Sequence, residues 1–186
     1  WLYLFLVPAI GMRLWAEERK SGTIELLLSL PVRASEAVLA KFLAAWLFVG
    51  LALALTIPIW ITVNVLGDPD NGVIVAGYLG SWLMAGGMLA ISACISALTR
   101  NQVVAFIISV VVCFGFLLSG LPMVLDIFRG WLPQTAVDAV ANLSFLSHFN
   151  SVSRGVVDLR DLVYFALVIG FWLTANRILV EIKKAQ

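Results

Sequence analysis

Long apolar stretches alternate with short polar ones along this chain. Four windows, residues 42–66, 73–98, 103–125 and 162–179, carry no Asp, Glu, Lys or Arg except near their ends. Each has about the length that a helix rising 1.5 Å per residue needs to cross a hydrocarbon layer of roughly 30 Å. The apolar stretch at residues 1–12 is too short to cross, so we interpret it as the end of a span that begins upstream. The pattern predicts an all-α membrane protein with four complete spans and a partial one.

The composition supports a membrane protein and argues against several kinds of chemistry. The chain of 186 residues is 62% hydrophobic and 12% charged, whereas soluble domains average about 45–50% and about 25%. Cys94 and Cys113 lie in separate apolar windows, which favours packing over a disulfide or metal site. His148 has no Cys, Glu or second His at ligand spacing, so we interpret it as an interfacial residue. The sequence contains no G-x-x-x-x-G-K-[ST] motif, so we expect no enzymatic site and no ATP bound through a P-loop.

The distribution of basic residues predicts which side of the membrane each loop faces. If every window crosses once, nine Lys and Arg residues fall on one side and three on the other. The larger group comprises Arg13, Arg19, Lys20, Arg33, Lys41, Arg100, Arg177, Lys183 and Lys184. The positive-inside rule makes that side cytoplasmic. The C-terminus is therefore predicted in the cytoplasm and residues 121–161 on the outer side.

The interiors of the spans lack the residues that ion-coupled transport requires. Carriers and pumps place ionisable side chains at mid-depth, and the four complete windows have none away from their ends. Small residues in the window 73–98 instead predict close helix packing, either within one subunit or between two. The candidates for that packing are Gly86, Gly87, Ser92 and Ser96. Pro58 predicts a kink in the preceding window.

The polar stretch AEERKSGTIELLLSLPVRASE, residues 16–36, predicts a short helix between two longer ones. Gly22 ends the first helix, Thr23 caps the next, Pro31 stops it, and Ser35 caps the following span. Between the caps, Glu25 and Ser29 share one stripe, and the apolar positions are Ile24, Leu26, Leu27, Leu28 and Leu30. A helix this short needs support from elsewhere. Two interpretations stay open: a helix that rests in the lipid headgroups, or one that docks into a groove on a cytoplasmic protein.

The same stretch resembles the cytoplasmic loop of ABC-2 type transporter permeases, particularly the gliding-motility and nitrous-oxide-reductase-maturation subgroup. The pattern of that loop is approximately E-E-x-x-x-G-T-x-E-x-L-L-x-x-P-V, followed by a lysine that opens the next span. Matching positions are Glu17, Glu18, Gly22, Thr23, Glu25, Leu27, Leu28, Pro31, Val32 and Lys41. A second stretch, HFNSVSRGVVDLRDLVYF, is similar to the outer segment before the last span of that subgroup.

The resemblance implies a helix bundle of the type V ABC exporter kind, with six spans, of which the first is missing and the second partial here. It implies one domain over residues 1–186. Its parts are the end of a span (1–12), a cytoplasmic loop with the coupling helix (13–41), spans (42–66, 73–98 and 102–125), an extracytoplasmic segment with short helices (126–160), the last span (161–180) and a cytoplasmic tail (181–186). The expected location is the cytoplasmic membrane of a bacterium or archaeon.

The resemblance also implies partners and roles. Such permeases form dimers, here expected to be homodimers, and each subunit binds one cytoplasmic ATPase that carries ATP and Mg²⁺. The coupling helix that docks into the ATPase corresponds to Thr23, Ile24, Glu25, Leu26, Leu27, Leu28, Leu30 and Pro31. The loop around it is supported by Glu17, Glu18, Gly22 and Lys41.

The expected function is export or force transmission across the membrane. Two alternatives remain: a membrane anchor or regulator that recruits an ATPase without transport, and, less favoured, an independent channel or carrier. Further expected partners are membrane lipids, with room for an extracytoplasmic accessory protein, and no nucleic acid.

Overall fold

The structure is a computed structural model that describes residues 1–23, 32–129, 133–155 and 158–184. Within these ranges the chain forms α-helices and no β-strand, which confirms the predicted all-α fold. The helices are α1 (Tyr3–Gly11), α2 (Arg13–Ser21), α3 (Ala34–Ala54), α4 (Ile57–Leu66), α5 (Asn71–Leu98), α6 (Gln102–Leu118), α7 (Pro122–Arg129), α8 (Gln134–Asn142), α9 (Phe145–Val152) and α10 (Leu159–Lys184).

Helix α2 continues the direction of the chain after a short break at Met12. The Met12 N–H still donates to the Pro8 carbonyl, at 2.8 Å, so the break is local. Helix α2 ends at Gly22, whose φ of 76° lies in the left-handed region. Glycine adopts this region without the steric cost of a Cβ atom, as the sequence predicts for the end of this helix.

Helices α3 and α4 together form the first long apolar element. The prediction that Ser35 caps this helix is wrong, because α3 begins at Ala34 and its N-cap residue is Arg33. Glu36 lies three residues after Arg33 and accepts a hydrogen bond from the Arg33 N–H at 3.3 Å, which closes the first turn earlier than expected. The helix is interrupted between Ala54 and Ile57, directly before Pro58, where the sequence predicts a kink.

Helix α5 lies at the centre of the molecule. Helices α1, α2, α3, α6, α9 and α10 all pack against it, and every residue from Met84 to Ala97 is buried. By length and composition, Ala34–Leu66, Asn71–Leu98 and Leu159–Ile182 are long and apolar enough to cross a membrane, within the described ranges. The central helix is therefore surrounded by protein over its second half, on the side of the polar loop.

The apolar window that we predicted as a span over 102–125 forms two helices. Helix α6 ends at Leu118, a turn follows at Ser119–Gly120, and α7 begins at Pro122. Proline disfavours helical geometry at the residue before it, which explains the break at Leu121. Helices α7, α8 and α9 are short, and their location outside the membrane stays a prediction.

Candidate coupling site at the base of the polar loop

The predicted docking helix lies outside the described residues. Positions 24–31 are not described, and with them Ile24, Glu25, Leu26, Leu27, Leu28, Leu30 and Pro31. The structure instead describes the two flanks of this segment, α2 with Gly22 and Thr23 on one side and α3 on the other. Thr23 is exposed, and its hydroxyl lies 2.9 Å from the Ser21 hydroxyl.

Lys41 joins the two flanks. Its ammonium group donates a hydrogen bond to the Leu14 carbonyl at 2.8 Å and forms an ion pair with the Glu18 carboxylate. The same nitrogen lies 4.2 Å from the centre of the Trp15 ring, at a distance suited to a cation–π contact. The Lys41 side chain is only 19% exposed and that of Glu18 31%. Partial burial strengthens such a pair relative to one in open water, so this contact fixes α3 against α2.

Trp15 anchors this pair of helices to the rest of the molecule. Its side chain is 1% exposed and lies in a cluster with Ala34 and Val38 of α3, Ala97 of α5 and Val180 of α10. Four helices thus meet in this cluster. A displacement of α2 at this level would be passed to α3, α5 and α10 through direct side-chain contact.

Ser96 of α5 satisfies the backbone at the α1–α2 break. Its buried hydroxyl accepts hydrogen bonds from the Trp15 and Ala16 N–H groups, at 3.1 and 3.0 Å, and donates to the Met12 carbonyl at 2.7 Å. Buried backbone groups without a hydrogen-bond partner are costly. By giving these groups a partner, Ser96 stabilises the break between α1 and α2. The sequence marked Ser96 as a small packing residue but gave no sign of its hydrogen bonds, because they depend on the position of a helix about 80 residues away.

The other small residues of α5 also meet side chains of this chain. A Cβ atom added to Gly86 would lie 2.8 Å from the Trp46 ring nitrogen, and one added to Gly87 would lie 3.1 Å from Phe145. Ser92 lies directly against Gly11 of α1. These α5 residues are buried within the chain, which leaves them no surface to offer to a second subunit.

Glu17 and Glu18, the two acidic residues expected to support the loop, differ in environment. Glu18 is paired with Lys41, whereas Glu17 is exposed. Arg19 donates from Nη1 to the Ala97 carbonyl at 2.5 Å, which adds a contact between α2 and the end of α5. Burial, and then the charge of Arg100, lower the pKa of the Arg19 guanidinium below its usual value. The structure thus brings together Glu18 and Lys41, while Glu17 stays in solvent.

A polar cluster at the other end of the bundle was missed by sequence reasoning. His148 of α9 is 8% exposed and Asp161 of α10 is 4% exposed. His148 Nδ1 lies 2.6 Å from an Asp161 carboxylate oxygen, and Nε2 lies 2.9 Å from the Asn142 carbonyl. The imidazole also stacks on the Tyr164 ring with centroids 3.9 Å apart. A lone histidine carries no signal of its partner, since Asp161 lies beyond a loop and on another helix.

The cluster around His148 holds the outer helices to α10. Because a carbonyl oxygen only accepts, Nε2 is the donor to Asn142, and Nδ1 faces the Asp161 carboxylate. Arg160 donates to the Asn142 side chain at 3.0 Å, and the Tyr164 hydroxyl donates to the Leu143 carbonyl at 2.5 Å. No group of three or more His, Cys, Asp or Glu residues suited to a metal ion occurs in the described part of the chain.

The fold defines the class of protein, which is a bundle of long apolar helices that crosses a membrane several times. Lys41 joins the two helices that flank its polar loop. A comparison with protein-family models then gives the family. Residues 4–162 match the model of the ABC-2 family transporter proteins, so the chain belongs to that family. Its members are membrane components that work with an ABC ATPase and are not themselves catalytic. No curated protein and no solved structure matches the chain.

Proposed function

We propose that this chain is the permease subunit of an ABC transporter, moved by a separate cytoplasmic ATPase that docks on residues 23–30. Family membership supports the transporter class, and the short apolar helix predicted between Gly22 and Pro31 supports docking at this loop. ATP and Mg²⁺ would bind only to the ATPase. The work done would be export of a cargo or transmission of force to the outer side.

The observation that carries this proposal is the clamp formed by Lys41, Glu18 and Leu14. The segment 24–31 connects α2 to α3 along the chain, and the clamp joins these two helices. A loop with free flanks would absorb a push by bending. With the flanks joined, a push on the docking helix would displace α2 and α3 as one unit.

Contacts on both flanks would carry this displacement into the central helix. On the α2 side, Ser96 holds the α1–α2 break. On the α3 side, the rings of Trp46 and Trp82 stack with centroids 4.2 Å apart. Each indole N–H of this pair also donates to the backbone carbonyl of the other residue, at 3.0 and 3.3 Å. The path from the loop to α5 therefore consists of packed rings and hydrogen bonds.

The test is to place charge on the apolar face of the docking helix. Leu27→Asp combined with Leu28→Asp should abolish co-purification of the ATPase, because burying two carboxylates in an apolar groove is strongly unfavourable. Membrane insertion should be unchanged, since the substitutions lie outside the spans. Co-purification of the tagged permease with its ATPase, after extraction in mild detergent, measures the effect.

Ser29→Asp is the matched control for this double variant. Ser29 lies on the predicted polar stripe of the same helix, so a charge there should leave ATPase binding nearly intact. If the Leu27/Leu28 variant still co-purifies with the ATPase, the docking proposal is wrong. If both variants fail equally, the loop does not bind through a helix with one apolar face.

Finer parts of the proposal rest on the sequence motif. From the pattern at residues 17–41 and the segment before the last span, we infer that the protein forms a homodimer. From the same stretches we infer that it is similar to the gliding-motility and nitrous-oxide-reductase-maturation subgroup. A membrane anchor that recruits the ATPase without transport would bind it in the same way. Stimulation of ATP hydrolysis by a transported substrate in liposomes would separate the transporter from the anchor.

A further inference from the structure

A basic pocket lies beside the candidate coupling site, where the turn between α5 and α6 meets the end of α2. The pocket has a volume of about 420 Å³, and its lining includes Lys20, Arg100 and the polar side chains of the turn. The turn is tightly built, because Asn101 donates its N–H to the Thr99 hydroxyl at 3.1 Å and its side chain accepts from the Val103 N–H at 3.0 Å. The cationic groups therefore border a preformed cavity.

The positive charge around this pocket is not neutralised within the described part of the chain. Lys20 and Arg100 are exposed. The charge of Arg100, after burial, contributes to lowering the pKa of the Arg19 guanidinium. None of these three residues forms an ion pair with a described carboxylate. Glu18, a partly buried acid on the same helix as Lys20, is already paired with Lys41. An anion entering the pocket would meet two cationic side chains and, among the described lining residues, no carboxylate.

An apolar stripe runs along α6 from this pocket. Val103 lines the pocket itself, and Ile107 and Val111 follow at spacings of four residues, which places all three on one face of the helix. They are 61%, 54% and 63% exposed. The stripe extends roughly 12 Å along the helix. The turn joins the ends of two apolar helices, which in a membrane would place the pocket at its boundary and the stripe in the hydrocarbon layer.

We infer that this pocket binds the headgroup of an anionic phospholipid, with the phosphate between Lys20 and Arg100 and one acyl chain along Val103, Ile107 and Val111. A soluble anion would use the cations and leave the stripe uncovered. An acidic surface of the ATPase could reach the cations but not a stripe within the membrane. A molecule with an anionic head and an apolar tail satisfies both parts. The bound lipid would lie beside α2, next to the clamp at the base of the loop.

The test compares two lipids with identical acyl chains, phosphatidylglycerol and phosphatidylcholine. The complete permease in detergent is titrated with each, and bound lipid is counted by native mass spectrometry. The unsubstituted protein should retain phosphatidylglycerol at least about ten-fold more strongly, since each Lys or Arg near an anionic headgroup gives roughly a five-fold gain. Lys20→Gln with Arg100→Gln should abolish this preference, and both residues are exposed, so the fold should be preserved.

Arg177→Gln is the matched control, because Arg177 is also an exposed arginine on the same predicted side but is paired with Glu181. It should keep the lipid preference. Equal retention of both lipids by the unsubstituted protein, or an unchanged preference in the double variant, would overturn the proposal. So would displacement of the lipid by glycerophosphoglycerol, which lacks acyl chains, at similar concentrations, because the site would then be one for soluble anions. Loss of ATPase binding with an unchanged lipid preference would assign the cations to the ATPase instead.

Discussion

At the residue scale, Lys41 links the two helices that flank the polar loop. Its ammonium group meets a carbonyl, a carboxylate and an aromatic face at once. The charged end of Lys41 meets the only described carboxylate that pairs with it. Lysine suits this position because its charge is compact and its three N–H donors point in different directions.

A double-mutant cycle on Lys41→Met and Glu18→Gln tests the clamp. We expect a coupling energy of about 1 kcal/mol or more, because the pair is partly buried and shares its cation with a ring. The free energy of unfolding in detergent, followed for both single variants and the double variant, measures it. The exposed pair of Arg177 and Glu181 on α10 provides the control and should couple by only about 0.3–0.5 kcal/mol. Equal coupling in both pairs would show that the clamp is an ordinary surface ion pair.

Asp161 is a second side chain whose burial matters, because it is 4% exposed and lies against His148. Asp161→Asn should lower the free energy of unfolding by about 1–3 kcal/mol, because it replaces the buried carboxylate that contacts the His148 imidazole with a neutral amide. One carboxylate oxygen of Asp161 already lacks a hydrogen-bond partner among the described residues, so the other oxygen carries the interaction with His148. Thermal unfolding in detergent measures the change.

Asp138→Asn is the control for the Asp161 variant. Asp138 is exposed on α8, so its substitution should change stability by less than about 0.5 kcal/mol. Similar small effects at both positions would mean that the contact between His148 and Asp161 contributes little to holding the outer helices.

At the scale of elements, α5 depends on small residues where other helices approach it. Gly86 and Gly87 make room for the rings of Trp46 and Phe145, and Ser92 faces Gly11 of α1. Side chains of at most two heavy atoms at these positions allow six helices to surround one. The sequence alone does not show which of these small residues are required, because their size matters only where a neighbouring helix is close.

Gly11→Ala should destabilise the protein by about 1–3 kcal/mol, because the added methyl group would overlap the Ser92 side chain and push α1 away from α5. Gly115→Ala on α6 is the matched control, since an added Cβ there meets no atom within 4 Å. It should be neutral or stabilise the helix by up to about 1 kcal/mol. Thermal unfolding of the two variants decides whether the α1–α5 contact is as tight as the structure shows.

At the scale of the whole molecule, the extent of burial distinguishes the inner helix α5 from the outer helices. The most apolar window of α5 is 78% buried, whereas those of Ala34–Leu66 and Leu159–Ile182 are 17% and 22% buried. Their exposed faces carry large apolar side chains such as Leu47, Leu51 and Leu167. In a membrane these faces are covered by lipid or by another subunit, and α5 has little surface for either.

The helices and several of their ends could be predicted from the sequence. Gly22 ends α2, and the interruption before Pro58 divides α3 from α4, because both residues act through their own backbone geometry. The end of α6 at Leu118 was missed, since an apolar window shows where a chain can lie in lipid but not where its helix stops. The helix start was misplaced by two residues, because the N-cap is Arg33 and the carboxylate of Glu36 closes a turn that Ser35 was expected to cap.

The candidate site was predictable only in part. Glu18 and Lys41 were expected to support the loop from their position in the motif, and the structure gives them each other as partners. The roles of Ser96 and His148 could not be predicted, because each depends on atoms that are distant in sequence or on another helix. The predicted docking helix itself stays a prediction.

The sequence by itself determined that the chain is helical, that it belongs in a membrane, and where a polar loop interrupts its apolar stretches. These properties follow from hydropathy and from the local geometry of glycine and proline. The tertiary structure alone decided that α5 is the central helix, that Lys41 closes the base of the loop, and that His148 meets Asp161. Such contacts arise when separate helices pack together, and the choice of partners depends on the shape and polarity of whole helix faces.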